Sequence, residues 1–123
     1  MITQTNWFTI YRYVLWVNTY EIPVDYHVFT SDSPTGPFIE QALPKLVVNA
    51  GGDFDLFVDD DSNATCYIVY AVTSDNYNIA VEQLDATYTT GTGKSVKMGL
   101  RDMEGPGMFK RNGKIWIIFM WKN

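Results

Sequence analysis

Residues that build disulfides and metal centres are almost absent from this sequence. Cys66 is the one cysteine and His27 the one histidine among 123 residues. A single cysteine excludes an intrachain disulfide and a cysteine-built zinc site. A single histidine excludes a multi-histidine metal site formed by this chain alone. We therefore expect neither a metal nor another cofactor.

Basic residues are outnumbered by acidic ones, and long apolar runs are missing. Nine lysines and arginines stand against 14 aspartates and glutamates, which gives a net charge of −5. A nucleic-acid partner would need a basic face to meet phosphate, and an anionic membrane surface also attracts basic residues. No stretch approaches the roughly 20 apolar residues of a membrane span, and residues 1–6 lack the pattern of a signal peptide. We expect neither a nucleic-acid nor a membrane partner.

Hydrophobic and aromatic residues, by contrast, are plentiful. They make up 46% and 15% of the chain, which supplies a packed core and argues against disorder. Short apolar or alternating runs lie between turn residues, a pattern typical of strands and hairpins. The predicted strands are Tyr13–Asn18, Asp25–Thr30, Leu56–Val58, Thr65–Val72 and Tyr77–Leu84, followed by a hairpin of Gly107–Lys110 and Lys114–Trp121 across an Asn-Gly turn. The sequence therefore predicts an all-β fold.

The order of strands recurs along the chain at a spacing of about 50 residues. A short strand, a polar turn and a long apolar strand occupy 57–70 and again 109–119, and Trp7–Ile10 with Tyr13–Val17 is a less regular third example. Antiparallel units of four strands at this spacing are typical of β-propeller blades; an ordinary antiparallel sandwich is the alternative. The approximate blades are 7–45 and 53–92, with a half blade at 104–123, all in one domain.

About two and a half blades do not close a propeller, which normally has four to eight. An unclosed arc leaves apolar blade faces without a neighbour. Two explanations stay open. Either the chain is a fragment of a longer protein, or copies of it self-associate through their open blade faces.

Some motifs resemble known sites but lack the residues that define them. Gly91–Ser95 suggests a phosphate loop, yet Tyr88 stands where a glycine is required and no helix is predicted to follow; a polar loop between blades is predicted instead. Asp59–Asp61 lacks the spacing of an EF-hand calcium loop, so a solvated turn is predicted. The sequence contains no nucleophile elbow that would need a catalytic histidine. His27 is therefore expected to be structural, or to contact a ligand if it faces the propeller axis. Cys66 is expected in the core.

Two carboxylates occupy matching positions one repeat apart. Asp53 precedes an inner strand, and Glu104 precedes the next one, 51 residues later. At the start of successive inner strands, both would point at the same axial funnel. Glycoside hydrolysis needs such a pair of acids, one of them kept neutral to protonate the leaving oxygen. Two exposed turn residues are the alternative.

The ordered set of motifs resembles glycoside hydrolase family 43, the five-bladed β-propeller hydrolases. The similar segments cover nearly the whole chain: YVLWV at 13–17, SDSPTGPF at 31–38, DFDLFVDDD at 53–61, EGP at 104–106 and FKRNGK at 109–114. The strand VEQL at 81–84 adds a similarity to the exo-β-1,3-galactanases. The resemblance implies an inverting glycoside hydrolase that acts on a plant-type polysaccharide, needs no cofactor and belongs to a secreted parent protein.

The resemblance also implies roles for individual residues. Glu104 would be the general acid, and Asp53 would orient that acid and tune its acidity. Asp55 matches no functional position and is expected at the surface. Tyr26 and Trp16 are expected to stack on a sugar if their rings face the axis.

Several positions depart from the family pattern. Gly52 stands where arginine is usual, Ser62 replaces the glycine that ends the acidic turn, and Gly105 replaces the alanine after the acid. The catalytic base is expected outside this chain, ahead of it in most members and beyond Asn123 in the galactanase-like subgroup. Two functions therefore stay open: a segment of a glycoside hydrolase, and a non-catalytic carbohydrate-binding or truncated inactive propeller segment. Little or no turnover is expected from the chain alone.

Overall fold

Three antiparallel β-sheets follow one another along the part of the chain that the structure describes. A computed structural model describes residues 2–5, 11–20, 26–48 and 51–123. The first sheet contains, in order, β1 (Ile2–Thr5), β2 (Tyr11–Asn18), β3 (Tyr26–Ser31) and β4 (Ile39–Glu40). The second contains β5 (Gly51–Val58), β6 (Cys66–Val72), β7 (Asn78–Leu84) and β8 (Gly91–Lys97), and the third is the hairpin of β9 (Met103–Arg111) and β10 (Lys114–Trp121). In the described segments no helix is long and apolar enough to cross a membrane.

The second sheet is buried on both faces because another sheet packs on each side of it. Successive side chains of a strand point to opposite faces. In β6, Ile68 and Tyr70 lie in a core shared with the first sheet. Val69 and Ala71 lie in a core with residues of the third sheet. Burial on both faces explains why β6 is a continuous apolar run rather than an alternating one.

The prediction of an all-β fold with four-stranded antiparallel blades is confirmed. Two sheets have four strands joined between sequence neighbours, and a two-stranded sheet follows them. Such sheets, packed face to face, are the blades of a partial β-propeller. The predicted strand Trp7–Ile10 and the residue Asp25 lie outside the described residues. Within the described residues, β2 pairs with β1 on the edge that faces away from β3.

The predicted loop Gly91–Ser95 is in fact most of β8, the outermost strand of the second sheet. Its register on β7 pairs Val81 with Val96 and Glu82 with Ser95. Nearly all of β8 is exposed. An outer strand with solvent on both sides needs no apolar residues, so its sequence carries no strand pattern. The strand predicted at Leu56–Val58 is also longer than expected, because β5 begins at Gly51.

Acidic side chains of the second sheet hold the inner strand of the third. Asp55, expected at the surface, is half-buried and its Oδ2 accepts a hydrogen bond from the backbone N–H of Met108 at 3.1 Å. Lys110 Nζ lies 2.8 Å from Asp59 Oδ1 and 2.5 Å from Asp60 Oδ1. Hydrogen bonds to these two carboxylates raise the pKa of Lys110. The acidic turn is therefore a contact between blades as well as a turn.

The outward face of the β9–β10 hairpin exposes large apolar side chains, among them Trp116, Ile118 and Met120. Exposed apolar edge strands favour pairing with another chain. We therefore expect the purified chain to self-associate at micromolar concentration, as measured by light scattering. Ile118→Lys is expected to shift the population towards monomer. Ile39→Lys, at an equally exposed position of the first sheet, is the matched control and is expected to change nothing. A wild-type chain that stays monomeric at every concentration would contradict the prediction.

Candidate active site

Asp53 and Glu104 lie at the same end of the sheets, where β5 and β9 begin. The two residues are linked through the backbone, because the N–H of Gly105 donates to Asp53 Oδ2 at 3.2 Å. Gly105 has a positive φ of 59°, a conformation that glycine adopts readily. The Asp53 carboxylate thus contacts the peptide that directly follows Glu104.

Tyr20, which the sequence reasoning missed, completes this group from the segment that follows β2. Its hydroxyl donates to Asp53 Oδ1 at 2.7 Å, and its side chain is 64% exposed. The hydrogen bond to Asp53, followed by burial and the negative charges of Asp53 and Glu104, raises the pKa of Tyr20 to about 12. The phenol therefore stays protonated at neutral pH and remains a donor to Asp53.

Asn18, at the end of β2, hydrogen-bonds the backbone ahead of Asp53 and the backbone of Tyr20. Its Nδ2 donates to the carbonyl of Gly52 at 2.7 Å and to that of Gly51 at 3.3 Å. Its Oδ1 accepts the backbone N–H of Tyr20 at 2.7 Å. The Gly52 carbonyl also accepts the hydroxyl of Tyr26 at 2.8 Å. The peptide ahead of Asp53 is therefore fixed by two side chains of the first sheet.

Tyr26 and Trp16, expected to stack on a sugar, lie in the core between the first two sheets. They are 6% and 4% exposed. The Tyr26 ring meets Trp16, Phe54 and Tyr70 edge to face, and Trp16 Nε1 donates to the carbonyl of Tyr88 at 2.8 Å. The expectation of stacking is therefore wrong for this structure, because neither ring has a face open to a ligand. The exposed aromatic side chain beside the two acids is Tyr20.

The lone histidine and cysteine lie apart from this group. His27 Nδ1 is 2.6 Å from Glu40 Oε1 on the outer strand β4, so the histidine pairs away from the inner strands. Cys66 is fully buried, and burial raises the pKa of its thiol to about 12, so it is no nucleophile at neutral pH. Among the described residues, no three His, Cys, Asp or Glu side chains are grouped in a way that could hold a metal ion.

The arrangement offers one doubly hydrogen-bonded carboxylate, one exposed phenol bonded to it, and Glu104, the residue before the Gly105 amide that also bonds that carboxylate. Each comes from a different part of the fold: Tyr20 from the segment after β2, Asp53 from β5 of the second sheet and Glu104 from β9 of the third. The spacing of the acids predicted their proximity, but Tyr20 belongs to no strand and to no repeat. Its φ of 56° is uncommon for a bulky residue. A sequence signal does precede it, since an asparagine two residues ahead favours a local turn.

Comparisons with known proteins give a family match and several structural matches. The sequence model of the family Glycosyl hydrolases family 43 matches residues 4–121. No curated protein sequence matches. Among solved structures, an exo-β-1,3-galactanase from Phanerochaete chrysosporium in complex with galactose is 28% identical with a TM-score of 0.74, over 91% of this chain and 27% of that one.

Two other structures share the fold at lower identity. A family 43 β-1,3-galactosidase with galactodeoxynojirimycin is 20% identical (TM-score 0.79) over 98% of this chain and 49% of its own. An arabinoxylan arabinofuranohydrolase from Bacillus subtilis in complex with cellotetraose is 21% identical (TM-score 0.68) over 94% of this chain and 27% of its own. The chain thus spans about a quarter to a half of these structures. The family match over nearly all of its residues shows that the chain belongs to glycosyl hydrolase family 43.

Proposed function

We propose that this chain is a segment of an inverting exo-β-1,3-galactanase and that it carries the acid side of the active site. In this proposal Glu104 protonates the leaving oxygen, and Asp53 orients Glu104 and tunes its acidity. Tyr20 lines the sugar site in place of Tyr26 and Trp16. One observation carries the proposal: Asp53 joins Tyr20 to the peptide beside Glu104.

The hydrogen bonds of Asp53 support an orienting role. Oδ1 accepts the phenol of Tyr20 and Oδ2 accepts the N–H of Gly105, so rotation of the carboxylate would break both. Hydrogen bonds to an ionised acceptor are about twice as strong as neutral ones. A carboxylate held in this way fixes the start of β9, and with it the backbone of Glu104.

The substrate class is supported by the galactanase, which is 28% identical and was solved with galactose. An inverting glycosidase needs a second carboxyl group or its equivalent to activate water on the opposite face of the sugar. We place that base outside this chain. The isolated chain is then expected to bind a galactoside at its acid side and to release no product.

Nuclear magnetic resonance titration with β-1,3-galactobiose tests the proposal. We expect amide shifts at Tyr20, Asp53 and Glu104, and much smaller ones with cellobiose. Asp53→Asn and Glu104→Gln are each expected to raise the dissociation constant about tenfold, the effect of losing roughly one hydrogen bond. Asp32→Asn removes an exposed carboxylate from the turn after β3 and is the matched control, with no change expected.

Two outcomes would contradict the proposal. Galactobiose shifts that survive unchanged in both Asp53→Asn and Glu104→Gln would remove these residues from the binding site. Galactose released from β-1,3-galactan by the chain alone would show that a complete set of catalytic groups is present, and would overturn the placement of the base.

A further inference from the structure

Asn18, Gly52, Asp53 and Tyr20 form a closed ring of contacts between the first two sheets. The Asn18 amide donates to the Gly52 carbonyl, and its oxygen accepts the N–H of Tyr20. Tyr20 closes the ring through its hydroxyl on Asp53, which follows Gly52 in the chain. One side chain thus fixes both the peptide ahead of Asp53 and the backbone that presents the phenol to it.

The backbone conformation of Tyr20 indicates what the hydrogen bond between Tyr20 and Asn18 does. A left-handed backbone is unfavourable for a residue with a Cβ, and Tyr20 has a φ of 56°. Being 64% exposed, its side chain gains little burial in compensation. The hydrogen bond from its N–H to Asn18 Oδ1 offsets this cost and holds the backbone of Tyr20 in the conformation from which the hydroxyl reaches Asp53.

We propose that Asn18 is a positioning residue of the active site: it places the Tyr20 hydroxyl on Asp53 and, through the Asp53–Gly105 contact, sets the position of Glu104. Among the described residues, the hydrogen bonds of the Asn18 side chain go to Gly51, Gly52 and Tyr20. The proposal rests on the roles of Asp53 and Glu104 in the proposed function. It predicts that loss of the Asn18 amide releases Tyr20 from Asp53.

The ionisation of Tyr20 reports this contact directly. Among the described residues, the charged groups that act on its phenol are Asp53 and Glu104. With its pKa raised to about 12, Tyr20 binds its proton more tightly folded than unfolded. The hydrogen bond is therefore fully kept below about pH 10 and lost as the pH rises through about 12. At pH 11, a phenol with a pKa near 12 is about one-tenth ionised, and a free tyrosine about nine-tenths.

The experiment uses the whole chain labelled with ¹³Cζ-tyrosine, with the Tyr20 signal assigned by its loss in Tyr20→Phe. We expect Tyr20 to be about one-tenth ionised at pH 11 in the wild type and more than half ionised in Asn18→Ala. Asn63→Ala, in the exposed turn before β6, is the matched control and is expected to leave the wild-type value. A folded Asn18→Ala chain with the wild-type value, or a wild-type Tyr20 that is nine-tenths ionised, overturns the proposal.

A second variant keeps the proposal testable if Asn18→Ala does not fold. Tyr20→Phe removes an exposed hydroxyl and is expected to shift the amide resonance of Gly105, which shares Asp53 with it. Tyr13→Phe on β2 is expected to leave that resonance in place. An unchanged Gly105 resonance in Tyr20→Phe overturns the coupling to Glu104. If the proposed function is wrong while Asn18 does position Tyr20, galactobiose will cause no amide shifts, but Tyr20 of the wild type will still be about one-tenth ionised at pH 11.

Discussion

Replacing Gly51 by alanine is expected to lower the free energy of unfolding by about 3 kcal/mol, the upper end of the usual cost of overpacking. A Cβ at Gly51 would lie 2.1 Å from Tyr26 Oη and 2.2 Å from its Cε2. The ring cannot move aside cheaply, since it is buried against Trp16 and Phe54 and its hydroxyl is bonded to Gly52. Urea unfolding followed by tryptophan fluorescence measures the loss.

Gly52→Ala is the matched control for this prediction. It makes the same chemical change one residue later, where the added Cβ would lie 3.0 Å from a methyl group of Thr73. A small shift of one side chain accommodates it, so we expect a loss of no more than about 1 kcal/mol. Equal losses at Gly51 and Gly52 would show that the Tyr26 ring does not pack as described.

Glu82→Ala is expected to lower the free energy of unfolding by about 3 kcal/mol, because it truncates a buried side chain and leaves two part-buried backbone N–H groups without their acceptor. Glu82 is 1% exposed on β7. Its Oε2 accepts the backbone N–H of Val47 at 2.8 Å, and its Oε1 that of Gly93 at 3.3 Å. The carboxylate thus ties the segment that joins the first two sheets to the outer strand of the second. Urea unfolding measures this loss as well.

Two variants bracket the prediction for Glu82. Glu82→Gln keeps one acceptor oxygen and the shape of the side chain, so we expect a loss of about 1–2 kcal/mol. Gln83→Ala truncates the next, partly exposed residue and is expected to cost under about 1 kcal/mol. If Glu82→Ala is as stable as Gln83→Ala, the carboxylate does not hold the linking segment.

Much of the candidate site could be predicted because it follows the repeat. Asp53 and Glu104 start equivalent strands of adjacent sheets, and a recurring order of strands in the sequence is enough to bring them to one end. Asn18 and Tyr20 could not be found in this way. Their contacts depend on the path of the chain directly after β2 and on a left-handed backbone at Tyr20, neither of which leaves a periodic pattern.

The expectations for Tyr26 and Trp16 failed for a related reason. Alternation places residues on the two faces of a strand but does not say which face meets a neighbouring sheet. In this chain their face packs against the second sheet. Tyr20 lies outside the predicted strands, and it is the aromatic side chain that is exposed to solvent beside the acids.

Strand patterns and repeated motifs are local properties, so the all-β class, the spacing of the sheets and the family could be recognised before the fold was known. Which side chains meet depends on how the sheets pack: Tyr20 meets Asp53, Asp55 meets Met108, and Glu82 meets the segment that joins two sheets. These contacts join residues 33 to 53 positions apart. Which residues become partners is set by how the sheets pack face to face, and the sequence of a single strand does not specify that packing.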